Sequence, residues 1–195
     1  SGCVPVIALT EIFRQAQQSD IVMNAHAVNA GQMPVPSRAD GDFFWLKRTD
    51  PGTVIETVAQ LCATRLPNHY GFSPSQIQVL SPAKRQGSGT VALNRRLQEA
   101  LNPPAKTKLE KRFGDWVFRE GDRVMQVRNN YDIVWERGED GEQGMGMFNG
   151  DVGEILRIFP QQECMTIRFD DRVATYTYDM LGELELAYAV TVHKS

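Results

Sequence analysis

The chain has 195 residues, of which 42% are hydrophobic and 23% charged, and its formal net charge is -3. This length and composition suffice for one large or two small folded domains, and they exclude disordered, collagen-like and disulfide-dependent proteins. The longest apolar run is far shorter than the roughly 20 residues of a membrane helix, and a secretory signal is expected to be absent or already removed. We therefore expect a cytoplasmic protein without a membrane partner.

The first predicted elements are helical. Ser19 is placed to begin a helix and Gly31 to end it. Residues 43–47 are predicted to form a short strand, and a capping box of Thr53 and Glu56 predicts the start of a second helix. The apolar residues of the two helices recur at helical spacing: Ile21, Val22, Ala25 and Val28 in the first, and Val54, Val58, Leu61 and Cys62 in the second.

A strand, a turn and a helix follow. Residues 77–80 are predicted as a short buried strand, residues 81–89 as a glycine-rich turn, and the next residues as a helix that stops at Asn102. This order is typical of an α/β layer. The apolar stripe of the helix consists of Leu93, Leu97, Ala100 and Leu101.

After about Phe113 the hydrophobic period changes from 3.6 to 2. Four or five short strands, with turns at Asn149-Gly150 and Asp170-Asp171, predict a small barrel. Residues 184–192 are predicted as one strand that is buried on both faces in a parallel sheet. The barrel is therefore expected to be an insertion within an α/β domain.

The charges are unevenly distributed along the chain. Residues 81–128 carry 11 basic and 5 acidic side chains, whereas residues 132–185 carry 4 and 13. Lys84 and Arg85 follow a predicted strand, where they and nearby N–H groups could bind a phosphate, although a solvated loop is the alternative. The basic stretch then continues beside Phe113 and Trp116. This combination suits single-stranded nucleic acid, and the charged outer face of a helix is the alternative.

Other kinds of site are not expected. The sequence lacks the Gly-x-x-x-x-Gly-Lys-Ser/Thr phosphate loop and the Gly-x-Ser-x-Gly nucleophile motif. No pair of His or Cys residues has metal-ligand spacing. The cysteines are expected to be reduced and structural; they are Cys3, Cys62 and Cys164.

Four segments carry a resemblance to a known family. They are residues 9–15 with 24–26, residues 79–82 with Gly89 and 93–98, residues 121–126 with 129–132 and 148–153, and residues 187–195. In this order they resemble the fourth helicase motif, the next strand-turn-helix, an inserted barrel and the start of the fifth motif of a RecD-like superfamily-one DNA helicase. The resemblance covers nearly the whole chain.

The resemblance implies an α/β fold with a partial RecA-like parallel-sheet motor domain. This domain would comprise residues 1–115 and the closing strand 186–195, which is truncated within the fifth motif, and residues 116–185 would form an inserted small all-β barrel of the Src-homology-three type. Arg14, with Gln15, would contact ATP, and Arg14 would stabilise charge on the γ-phosphate like an arginine finger. The implied contacts to the DNA backbone are Ser81, Lys84, Arg85, Asn94, Thr191, His193, Lys194 and Ser195.

The implied parent is an ATP-dependent helicase that moves 5' to 3' on single-stranded DNA with ATP and Mg. Its partners would be the first RecA-like domain of the same chain and, in a recombination or repair complex similar to exodeoxyribonuclease V, other subunits. The lysine loop and the acidic magnesium motif of that first domain are missing here, so we expect a fragment without activity or bound cofactor of its own. The alternative is a stand-alone, non-enzymatic module that binds single-stranded nucleic acid.

Overall fold

The computed structural model describes residues 18–38, 40–138 and 141–194. The chain divides into two compact units, residues 1–48 and residues 49–195. No helix within the described ranges is long and apolar enough to cross a membrane.

The first unit contains α1 (Asp20–Asn29), and its predicted start is confirmed, because the Ser19 side chain accepts a hydrogen bond from Val22 N. Among the described residues, its apolar face is largely exposed. Ile21 is 53% exposed, whereas Asn24 is buried. The Asn24 amide donates to the Val35 carbonyl at 2.8 Å and accepts from the Val35 N–H at 2.7 Å. This helix therefore packs through a polar side chain on an extended segment.

The predicted strand at residues 43–47 is wrong, because this segment has irregular backbone. Phe44, Trp45 and Leu46 are each about half exposed. A short apolar run becomes a strand only where a neighbouring strand satisfies its backbone hydrogen bonds. The described part of this unit contains no strand that could do so.

The second unit begins with a helical layer. Asp50 is the N-cap of α2, and its carboxylate accepts from Thr53 N at 2.7 Å, so the predicted capping box at Thr53 is wrong. Pro51 suits the first helical position, and Glu56 instead pairs with Arg96 at 2.7 Å. The elements of this layer are α2 (Pro51–Gln60), a π-helical turn (Leu61–Arg65), α3 (Leu66–Tyr70), β1 (Val79–Ser81) and α4 (Thr90–Leu101).

The remaining strands confirm the change of period. A hairpin precedes an antiparallel sheet of seven strands, in the order β10-β4-β7-β8-β9-β5-β6. Gly150 and Asp170 adopt positive φ angles at the two predicted turns. The strands are β2 (Glu110–Phe113), β3 (Trp116–Arg119), β4 (Arg123–Gln126), β5 (Asn130–Arg137), β6 (Glu142–Met147), β7 (Val152–Phe159), β8 (Cys164–Phe169), β9 (Arg172–Thr177), β10 (Leu184–Leu186) and β11 (Ala189–Thr191).

The prediction of one continuous strand over residues 184–192 is wrong. β10 pairs antiparallel with β4, whereas β11 pairs parallel with β1. The chain changes sheets at Ala187 and Tyr188, which are both buried. A continuous apolar run cannot reveal this change, because both halves of the run are buried against different partners.

One hydrophobic core joins α4 to the large sheet. Leu97 of α4 belongs to the same cluster as Phe118, Ile155 and Tyr176, and all four residues are fully buried. The helical layer and the sheet therefore stabilise each other within the second unit.

Candidate nucleic-acid interface

Ser81 and Thr191, two of the predicted DNA-contacting residues, end neighbouring strands at one edge of a sheet. β1 and β11 run parallel in the register Val79 with Ala189 and Ser81 with Thr191. The loops after both strands therefore start at the same carboxyl edge, which is where α/β sheets bind ligands. The loop after β1 carries Lys84 and Arg85, and the turn after β11 carries His193.

Ser81 shapes the loop after β1. Its side chain is buried, and its hydroxyl lies 3.1 Å from the Ala83 carbonyl oxygen and 3.2 Å from that of Ser88. The hydroxyl thus spans the two ends of the loop. Its observed contacts are to the loop backbone, and its predicted contact with DNA stays a prediction.

The loop also uses the first donors of α4. Thr90 N donates to the Ala83 carbonyl at 3.0 Å, and Val91 N donates to the Lys84 carbonyl at 3.1 Å. A β-carbon on Gly89 would lie only 2.6 Å from the Lys84 carbonyl oxygen, so this close approach requires glycine. Because both N–H groups are engaged, they do not form the open phosphate cradle that the sequence left as one interpretation.

The two loop cations differ in their partners. Lys84 Nζ lies 2.5 Å from Glu185 Oε1 of β10, and the Lys84 side chain is 49% exposed. Arg85 is exposed and makes no ion pair with any residue that the structure describes. A phosphate could therefore meet the Arg85 guanidinium directly, whereas at Lys84 it would compete with a carboxylate.

The turn after β11 completes the edge. Thr191 is half-buried at the end of the strand, and His193 is exposed in a 3₁₀ turn, Val192–Lys194. Arg14, Gln15 and Ser195 lie outside the described residues. The predicted ATP contacts of Arg14 and Gln15 and the predicted DNA contact of Ser195 therefore stay predictions.

Asn94 of α4 faces the interior. It is 3% exposed. Its amide group donates to the carbonyls of Leu186 and Ala189 at 2.8 and 2.9 Å, and its oxygen accepts from Ala189 N at 2.8 Å. These bonds hold the connection between β10 and β11 against the helix. Asn94 thus fixes the strand that ends in Thr191, and any effect on DNA through these contacts would be indirect.

A buried carboxylate joins α4 to the large sheet, and the sequence did not reveal it. Asp122 is fully buried and accepts four hydrogen bonds. The donors are Gln98 Nε2 at 2.5 Å, Asn102 Nδ2 at 2.7 Å, Arg119 N at 2.7 Å and Tyr188 Oη at 2.9 Å. Burial raises the pKa of Asp122, and these bonds oppose the rise. Burial also raises the pKa of Tyr188, so the phenol remains a donor.

The signal that could have revealed this network is the spacing of amides on α4 and just beyond it. Asn94, Gln98 and Asn102 recur every four residues, so their side chains lie along one face of the helix. Only the apolar stripe beside them was used for the prediction from sequence, and this stripe predicts contacts with the hydrophobic core. Polar residues next to a buried stripe need buried partners.

A cavity of about 680 Å³ lies elsewhere in the second unit, and none of the predicted site residues lines it. Arg123 and Cys62 are among its lining residues, and burial raises the pKa of the Cys62 thiol. Within the described ranges, no group of three or more His, Cys, Asp or Glu side chains is placed to hold a metal ion. The candidate interface is thus the carboxyl edge of β1 and β11.

Part of the second unit matches a known protein family. Residues 93–169 match the family model described as the SH3 domain of ATP-dependent RecD-like DNA helicases. This match begins within α4 and ends with β8, so it covers most of the large sheet. The second unit therefore contains an SH3-like domain of the type found in RecD-like helicases.

Particular relatives extend the match. Over 191 residues, 98% of the chain, it is 31% identical to the ATP-dependent RecD2 DNA helicase of Deinococcus radiodurans. Over 158 residues, 72% of the chain, it is 30% identical to an uncharacterized protein of Methanocaldococcus jannaschii. The chain spans 23% of the first relative and 13% of the second. These matches confirm the resemblance found from the sequence, that of a RecD-like helicase segment.

Proposed function

We propose that this chain is the part of an ATP-dependent DNA helicase that holds the backbone of single-stranded DNA along the carboxyl edge of β1 and β11. The observation that carries the proposal is the parallel pairing of Ser81 with Thr191. This pairing brings the loop with Lys84 and Arg85 beside the turn with His193. Positive charge at a shared sheet edge suits a phosphate backbone.

The proposed domain layout follows the same pairing. β1 and β11 lie on either side of the large sheet in sequence, so they support a discontinuous motor domain with an inserted barrel. Residues 1–115 and 186–195 would belong to the motor domain, and residues 116–185 to the barrel. The complete motor would need the first RecA-like domain as its partner, together with ATP and Mg, and it would move 5' to 3'.

The interface is tested by charge removal in the full-length protein. Arg85→Ala should weaken binding to a single-stranded oligonucleotide and make it less sensitive to salt. A plot of log affinity against log salt has a negative slope, and each lost phosphate contact makes this slope less steep by about 0.7. Lys84→Ala should have a smaller effect, because Glu185 already neutralises part of the charge of Lys84. Fluorescence anisotropy over a salt series measures both quantities.

Lys106→Ala is the matched control. Lys106 is exposed and follows the end of α4, whereas the loop with Arg85 precedes its start. The 12 residues of the helix separate the two positions along its axis, a length of about 18 Å at the usual rise. The control should retain the wild-type slope. Equal slopes for wild type and both loop variants would exclude this edge as the DNA interface.

The ATP-sensing role proposed for Arg14 has a separate test. Arg14→Ala in the full-length protein should abolish ATP turnover while leaving single-stranded DNA affinity nearly unchanged, because an arginine finger acts on charge that develops during phosphoryl transfer. Wild-type turnover in the variant would refute the assignment. A full-length protein that binds DNA but never hydrolyses ATP would favour the non-enzymatic module. Unwinding of duplexes with either a 5' or a 3' single-stranded tail tests the direction.

A further inference from the structure

Two aromatic side chains form an exposed pair at one corner of the SH3-like domain. Tyr131 follows the start of β5 and is 65% exposed, and Phe148 follows the end of β6 and is 42% exposed. Their ring centroids are 5.8 Å apart, with the planes at 76°. Each ring thus leaves much of its surface open to solvent.

Hydrogen bonds fix the backbone near these two rings. Asn149 N donates to Asn129 Oδ1 at 2.9 Å, which joins the loop before β5 to the loop after β6. Phe148 N donates to Asp151 Oδ2 at 3.0 Å. Asn130 Nδ2 donates to both carboxylate oxygens of Glu183, at 3.2 and 3.0 Å. The backbone that carries the rings is therefore fixed before any ligand binds, which lowers the entropy cost of binding.

The corner and the proposed DNA edge are each anchored by a carboxylate near the start of β10. Glu183, which accepts from Asn130, directly precedes β10. Glu185, two residues further along, pairs with Lys84. At the usual rise of a strand these two anchoring residues are separated by about 7 Å. The aromatic pair and the cationic loop are thus anchored on one short stretch of backbone.

The chemistry of the corner suits bases better than phosphates. Asp132 follows Tyr131 in sequence, Asp151 accepts a hydrogen bond from Phe148 N, and Glu183 accepts from Asn130. Residues 132–185 carry 13 acidic and 4 basic side chains. Acidic surroundings repel a phosphate backbone, whereas a neutral ring stacks on any base without needing positive charge. Arg128, exposed in the loop before β5, supplies one cation nearby.

We infer that Tyr131 and Phe148 form a platform on which bases of single-stranded DNA stack while the backbone is held at the edge of β1 and β11. This inference rests on the proposed function and adds a second kind of contact to it. The acidic domain contacts the strand through its bases, and the cationic loop contacts it through its phosphates.

The test uses the full-length protein and a thymine oligonucleotide at fixed salt. The double variant Tyr131→Ala with Phe148→Ala should bind about 5-fold to 150-fold more weakly, since stacking contributes about 1–3 kcal/mol per base. Phe148→Trp should retain the affinity, because it preserves an aromatic face. Met145→Ala, which removes an exposed apolar side chain from the same hairpin, is the matched control and should bind like wild type.

An oligonucleotide with abasic sites separates stacking from other effects. Its affinity for wild type should fall, and the double variant should then differ from wild type by less than about 2-fold, because no base remains to stack. An unchanged affinity of the double variant for thymine DNA would overturn the inference and leave the pair as a surface for a protein partner. If Arg85→Ala still weakened binding in that case, the proposed function would survive.

Discussion

Replacement of the buried carboxylate of Asp122 tests how the helical layer is joined to the SH3-like domain. Asp122→Asn preserves the shape of the side chain but leaves one oxygen acceptor where two were present. Gln98 and Arg119 N donate to one carboxylate oxygen, and Asn102 and Tyr188 donate to the other. Whichever way the amide is turned, its NH₂ group faces two donors that have lost their acceptor.

The expected loss in the free energy of unfolding follows from those two donors. A buried donor without a partner costs about 1–3 kcal/mol, so two of them cost about 2–6 kcal/mol. Removal of a buried charge recovers part of this amount, because the carboxylate no longer has to be desolvated. We therefore expect the free energy of unfolding to fall by about 2–4 kcal/mol.

Urea unfolding of the 195-residue chain, followed by circular dichroism, measures this free energy. Asp132→Asn makes the same chemical change at an exposed site of β5 and should stay within about 0.5 kcal/mol of wild type. If Asp122→Asn were as stable as that control, the four hydrogen bonds would not join the helical layer to the SH3-like domain.

The difference in stability between wild type and Asp122→Asn should also depend on pH. Because burial raises the pKa of Asp122 above 3.8, the folded state binds this proton more tightly than the unfolded state does. Stability contributed by this group is therefore present below 3.8 and is lost as pH rises through the raised pKa. The stability of wild type relative to Asp122→Asn should increase as pH is lowered from neutral towards 3.8, and a decrease would contradict the raised pKa.

Three further substitutions test local features. Asn94→Ala removes three buried hydrogen bonds, so the unfolding free energy should fall by about 2–4 kcal/mol and the Ala189 amide should exchange hydrogen faster; wild-type exchange would refute the role of Asn94. Gly89→Ala should lower the melting temperature, because its β-carbon would meet the Lys84 carbonyl, and an unchanged value would show that the loop can relax. Asp50→Ala should cost about 1 kcal/mol in urea unfolding through the lost helix cap, whereas no loss would place the cap elsewhere.

The local pattern of apolar residues predicted a helix or strand correctly where one packing partner was enough to determine that element. The apolar spacing that includes Leu97 correctly predicted α4, and alternation correctly predicted the strands of the large sheet. The strand predicted at residues 43–47 was wrong because strand formation depends on a neighbour that local sequence does not specify. The run over residues 184–192 was split for the same reason, since burial alone does not say which sheet a strand joins.

The candidate site was predicted as a set of residues but not as a geometry. The residues that follow β1 and β11 were named from the family resemblance, and only the register of Ser81 with Thr191 places them at one edge. The network around Asp122 was missed because its donors are far apart in sequence. Gln98 is 24 residues from Asp122, and Tyr188 is 66 residues away.

The amides on and just beyond α4 connect the edge of β1 and β11 with the SH3-like domain. Asn94 holds the strand that ends in Thr191, while Gln98 and Asn102 hold Asp122 at the start of the large sheet. Side chains at a spacing of four share one helix face, so a single rigid element fixes both. A strand of DNA that contacts the loop after β1 and a platform on the sheet would therefore meet two features whose separation does not change.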